Sequence, residues 1–313
     1  MPPSTPVPPG TRVAAINADQ PFDEACRLIM LLELGRLGDA HRGAVASGGR
    51  FRKHTVHMMR VAVRRLRTII AVAIRIVPKT VAGQLAPFDR RLRQLNRRLA
   101  AVRDLDVLIA DLDATPMGHG KATKDPAVKA VKSQRKRARR RLASDLDGFA
   151  ADVKRFARLV RDPRALAPTD DPAPRVCDLL PAVLWFRYGA ARRFEAQTRP
   201  GTEALHALRR EVRQLRFVVE FFSGVLDVHA AGPVLAHLSS LQQRLGSLND
   251  ANTADEVLAE AVGKHLARSP RVIAYRNRRR AQVAKSLQAV AQDARSLFDP
   301  AFRSRLEGML HPL

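Results

Sequence analysis

The chain writes one charged helix twice. His57-Met-Met-Arg60-Val-Ala-Val-Arg64-Arg65-Leu66-Arg67 aligns with His206-Ala-Leu-Arg209-Arg-Glu-Val-Arg213-Gln214-Leu215-Arg216, and the offsets of His, Arg, Arg and Arg agree throughout. Downstream, Leu95-Asn-Arg-Arg98-Leu99-Ala-Ala-Val102-Arg103-Asp104 aligns in the same way with Leu241-Gln-Gln-Arg244-Leu245-Gly-Ser-Leu248-Asn249-Asp250. Each half then carries a basic run, Arg135 to Arg141 and Arg276 to Arg280, and each has one cysteine, Cys26 or Cys177, in its first apolar stretch. Elements recurring in the same order mark an internal duplication, and a duplicated unit folds as two copies of one arrangement.

The unit is helical. Apolar residues fall at helical spacing over about 21–46, 52–77, 80–113 and 126–160, then over about 176–198, 202–227, 232–263 and 270–309, with a break expected near Pro300. Residues 1–20 form a Pro-rich tail. Arg161 to Pro174, with four prolines and three aspartates, ends the fourth helix. It reads as a linker, 161–175, between repeats at 21–160 and 176–313. Hydrophobic residues make up 46% of the chain but aromatics only 5%, an aliphatic interior that suits helix packing better than a β-sandwich. The expected fold is all-α, two pseudo-symmetric four-helix bundles packed face to face around a shared basic cavity.

Charge narrows the function classes. Lys and Arg number 55 against 30 Asp and Glu, a net charge of +25, which strains a compact fold by self-repulsion and points to a polyanionic partner. Only ten of the 55 are Lys. Arg presents a planar fork that grips phosphate oxygens in pairs, so the bias suits phosphate recognition. Two cysteines cannot make a disulfide framework, and a reducing cytoplasm is expected. MPPSTPVPPG lacks the pattern of a signal peptide and no apolar segment is long enough to span a bilayer, so no membrane partner is expected.

On an α-helix the offsets 0, +3, +7 and +10 fall within an arc of ~80°. His57, Arg60, Arg64 and Arg67 therefore form one stripe, and His206, Arg209, Arg213 and Arg216 a second, each roughly 15 Å long at about 1.5 Å rise per residue. A solvated basic face is the ordinary fate of such residues, but it does not require identical placement in both copies. Like charges at these spacings destabilise an isolated helix by a few tenths of a kcal/mol per pair. Six arginines held in two rows make sense if an anion neutralises them, and two facing rows suit a long anion. As metal ligands the histidines lack partners at ligand spacing, and as phosphorylated nucleophiles they lack an orienting carboxylate and a phosphoryl-donor motif. A donor role at one end of an anion groove asks least of the sequence. Asp104 and Asp250, with Arg98 and Arg244, read as supporting residues that orient the groove arginines or join helices by plain ion pairs.

HMMRVAVRRLR and HALRREVRQLR, each followed by a Leu-rich helix ending VRDLD or LND, resemble the CHAD family, the conserved-histidine α-helical domain. The resemblance covers about residues 20–311. It implies two four-helix bundles around a basic central cavity that binds inorganic polyphosphate. It also implies that His57, Arg60, Arg64, Arg65, Arg67, His206, Arg209, Arg213 and Arg216 line that cavity, with Gln214 departing from the basic residue at Arg65. CHAD domains are often fused to a triphosphatase domain with an N-terminal Glu-x-Glu-x-Lys, which this sequence lacks. The expectation is therefore a non-enzymatic polyphosphate-binding protein, cytoplasmic and associated with polyphosphate granules, with no metal and no cofactor. Nucleic-acid binding is the first alternative, set back by one Trp and two Tyr where single-strand binders use stacking platforms. A histidine-dependent phosphatase or phosphotransferase is the second, set back by the absence of a metal-binding carboxylate cluster.

Overall fold

Each helix begins and ends where the chain's punctuation allows. The computed structural model describes residues 16–46, 53–115, 125–167, 173–195, 201–311 and 313, and the side chains of all of these except 44–46, 202, 247–252, 264–265 and 286–288. The Pro-rich tail and part of the expected linker thus lie outside the described residues. The helices are α1 Phe22–Ala46, α2 Lys53–Ala73, α3 Lys79–Asp113, α4 Pro126–Arg161, α5 Val176–Arg192, α6 Thr202–Phe221, α7 Val228–Leu266, α8 Pro270–Arg295 and α9 Pro300–Gly308. Asp125, Asp227 and Ser269 cap α4, α7 and α8 by accepting from backbone N–H groups of the first turn. Pro126, Pro270 and Pro300 fill first-turn positions where no donor is needed. The break expected near Pro300 is there, and it divides the last helix into α8 and α9. Among the described residues the structure is all-α.

Successive helices pack as antiparallel neighbours, α1 to α4 in the first half and α5 to α8 in the second, while α9 folds back on α7. The two first helices start side by side. Phe22 donates its backbone N–H to Pro174, and Val176 and Cys177 donate theirs to Gln20 and Ala18. Across the halves, α3 and α4 meet α7, and α2 meets α6.

The apolar interior does not divide at the linker. One core runs through both halves, joining residues such as Ile29, Met59, Leu66 and Leu99 to Val212, Leu215, Leu238 and Leu245. Phe22 of α1 stacks on Phe222 at the end of α6, with ring centroids 5.4 Å apart. The long helices α3, α4, α7 and α8 then run beyond this core and build a second one from their far ends. It contains Leu105, Leu108, Ile109 and Leu112 of α3, Val128 and Val131 of α4, Leu258 and Val262 of α7, and Val272 and Tyr275 of α8. Between the two cores, residues of α2, α3, α6 and α7 line a cavity.

Candidate functional site

Helix α2 positions its charges by what it buries. Val56, Met59, Val63, Leu66 and Ile70 recur at three- and four-residue spacing and face the main core, which turns His57, Arg60 and Arg64 to the other side. His57, Arg60, Val61 and Arg64 line a cavity of about 150 Å³ together with Arg103, Asp104 and Val107 of α3, Arg209 of α6, and Thr253 and Ala254 of α7. Arg60 donates from Nη1 to Asp104 Oδ1 at 3.3 Å, so Asp104 orients a stripe arginine across the α2–α3 interface. Arg209 lies along α7 at Gly246, where a Cβ would stand 3.2 Å from its Nη2; the bare backbone is what lets the guanidinium in.

The two stripes face one another. Burial pushes the Arg64 guanidinium down to about 8, helped by repulsion from Arg60 and from Arg213 and Arg209 of the opposite stripe, with Asp104 acting against it. Burial likewise lowers Arg213 to about 10, helped by Arg209, Arg60, Arg210 and Arg216. Neither Arg64 nor Arg213 forms an ion pair with a carboxylate among the described residues. His57 stands at the mouth. Partial burial first, then the positive charges of Arg103, Arg60, His54 and Arg64, hold its imidazole below the usual histidine value.

The remaining positions in the rows have other partners. Arg67 donates to Asp89 of α3 at 2.8 Å, and Arg216 donates to Gln242 at 3.0 Å and to Glu220 at 2.8 Å. The +10 position in each copy is thus tied to a neighbouring side chain and stands outside the cavity lining. Arg65 is a correction to the expected set. It is buried on the opposite side of α2, donating to Glu33 at 2.8 Å and to Glu220, with its guanidinium over the Phe217 and Phe221 rings. Its neighbour in sequence faces the cavity and it cannot, because adjacent residues on a helix point about 100° apart. At Gln214, the matching position, the partner is Arg187 of α5. Arg98 and Arg244 are also tied away from the cavity, to Asp145 of α4 at 2.6 Å and to Asp293 of α8. The same ion pair recurs in both halves, which makes it a fastening between third and fourth helices. His206 is exposed on α6; neither it nor Arg213 is among the lining residues, although Arg213 stands within electrostatic range of Arg60 and Arg209, and the side chain of Asp250 lies outside the described residues.

Sequence reasoning passed over Arg103 and Thr253. Arg103 lies within the repeat, but its counterpart is Asn249, so a match between the copies does not point to it. The signal was present: Arg103, Asp104 and Val107 share one face of α3. In the basic run of α4, Arg135 and Arg139 donate to buried Asp106 at 3.3 and 3.2 Å. Among the described residues no three His, Cys, Asp or Glu side chains converge as a metal-binding group, and no helix is long and apolar enough to cross a membrane.

A protein-family model described as the CHAD domain matches residues 38–259. The chain belongs to the CHAD family. Binding of inorganic polyphosphate is a known property of that family. Among solved structures, the CHAD domain from the plant Ricinus communis is similar at a TM-score of 0.74 and 20% identity, covering 91% of this chain and 95% of that one. PptA from Streptomyces chartreusis is similar at a TM-score of 0.60 and 17% identity, covering 89% and 99%. These likenesses concern the fold. No curated protein matches the sequence. The match begins within α1 and ends within α7, so it takes in all four helices that line the CHAD cavity.

Proposed function

We propose that this CHAD protein binds inorganic polyphosphate in the cavity between its two cores, without turning it over, and that this binding places it on polyphosphate granules. The observation that carries the reading is the convergence of Arg60, Arg64, Arg209 and Arg213 from two helices, with Asp104 beside Arg60 and no carboxylate paired with Arg64 or Arg213 among the described residues. Buried like charges raise the free energy of the empty cavity, and a chain of phosphates relieves that repulsion while filling the guanidinium forks. Orthophosphate engages two or three donors. A long chain can continue past His57 at the mouth, which favours length. The lining supports binding over chemistry: it offers guanidinium groups, one imidazole and a hydroxyl, and its carboxylate is engaged by Arg60. Among the described residues it also contains no aromatic ring on which a nucleobase would stack.

Competition of long polyphosphate against orthophosphate, single-stranded DNA and RNA at physiological salt tests the ligand. Long polyphosphate should displace the others, and DNA binding of equal strength would transfer the reading to nucleic acid. Chain-length analysis on gels tests the second half. If polyphosphate shortens with turnover, and His57→Gln abolishes the shortening while affinity is kept, the cavity is an active site.

A further inference from the structure

A second cavity, of about 220 Å³, lies between the end of α1 and the middle of α4, on a different face of α2 from the basic stripe. Its floor is apolar, made by Leu37, Met59, Leu146 and Phe149, all buried. The hollow exists because small residues stand where the two helices face each other, Gly38 on α1 and Ala150 on α4. A Cβ built at Gly38 would meet one atom, Arg42 Nη1, at 3.5 Å, so the space of its missing side chain is open. An apolar cavity of about 150 Å³ already accepts benzene and stays dry without it. This one has room for a ring with a short alkyl extension.

The rim carries two cations and an imidazole. His41, Arg42 and Lys154 stand around the opening. Arg42 has Asp39 as partner, but both side chains are largely in solvent, 76% and 72% exposed, where such a pair contributes little. His41 and Lys154 form no ion pair among the described residues. An apolar floor under a positive rim selects a molecule with an apolar body and one negative end. We infer that this cavity binds a small amphiphilic anion, an aryl- or alkyl-carboxylate, with its body in the gap left by Gly38 and its carboxylate toward His41, Arg42 and Lys154. The site needs no phosphate in the arginine cavity and does not depend on that cavity's ligand.

Calorimetric titration of the full chain with phenylbutyrate and with the neutral phenylbutyramide tests this. The acid should show one saturable site, the amide should bind about two- to fivefold more weakly, the scale of a solvent-edge charge contact, and saturating polyphosphate should leave the acid bound. Gly38→Leu fills the gap and should abolish acid binding while polyphosphate affinity is unchanged. If circular dichroism shows that variant unfolded, Ala150→Leu at the open edge serves the same purpose. Absence of saturable binding, equal affinity for acid and amide, or displacement of the acid by polyphosphate with binding retained in the folded, filled variant would each overturn the site. The last result would place the acid among the arginines.

Discussion

Adjacent arginines on α2 have opposite duties. Arg64 faces the cavity without a carboxylate partner, and Arg65 is held in the interior by Glu33 and Glu220. Arg64→Ala should weaken polyphosphate binding by about 1.5–3 kcal/mol, the range for hydrogen bonds to charged groups. Arg64→Lys should recover part of that, since charge survives and the bidentate fork is lost. Titration calorimetry reads both. Arg65→Ala should leave affinity intact in the folded protein and lower stability by about 3–5 kcal/mol in urea unfolding, because it strands carboxylates built to be paired. His57 makes binding depend on pH. Burial and its positive neighbours hold its pKa below the usual histidine value. A bound polyanion reverses the sign of that field and raises its pKa, so the complex takes up a proton that the free protein lacks. Affinity should therefore climb as pH falls through about 6.5, and His57→Gln should flatten the climb. An unchanged slope in that variant would remove His57 from the ligand's reach.

At the scale of elements, a buried side chain is among those that fasten the far ends of the long helices across the halves. Arg271, at the start of α8, donates to Leu112 O at 3.1 Å, Thr115 O at 3.2 Å and Asp125 Oδ2 at 3.0 Å, which joins α8 to the end of α3 and the cap of α4. The second core it closes is small, and it forms one wall of the hollow between the cores. Arg271→Met should cost about 3 kcal/mol through the unsatisfied carbonyls and the stranded carboxylate. The loss should be local. In hydrogen exchange, amides of 105–112, 128–131 and 258–262 should lose protection first, while those of 62–70 in the main core keep theirs. Uniform loss of protection would mean that the two cores unfold as one.

For the whole molecule, a net charge of +25 gives stability and binding opposite responses to salt. Screening relieves self-repulsion and should raise the Tm of the free protein between about 0.05 and 0.5 M NaCl. The same salt competes with polyphosphate for the arginines and should weaken binding steeply. Polyphosphate at 100 times its Kd should stabilise the protein by about 2.7 kcal/mol. Melting curves with and without ligand should therefore converge as salt rises, and a ligand-induced shift that persists undiminished would argue for contacts other than charge. The sequence by itself determined the all-α class, the helix starts to within a few residues and the break at Pro300, because these follow from local periodicity, caps and prolines; several ends, at 73, 192 and 221, come four to six residues before the expected ones. It also determined which face of α2 is charged, since the repeat of His and Arg is visible in one dimension. Only the tertiary structure decided which charged side chains reach the cavity. Arg65, Arg67 and Arg216 carry the same charge as Arg64 and Arg213, and what separates them is a carboxylate or amide brought near by another helix: Glu33, Asp89, Glu220 and Gln242. Arg103 enters the site without a basic counterpart in the other half for the same reason, because a cavity is assembled from helix faces in space and a repeat compares only positions along the chain.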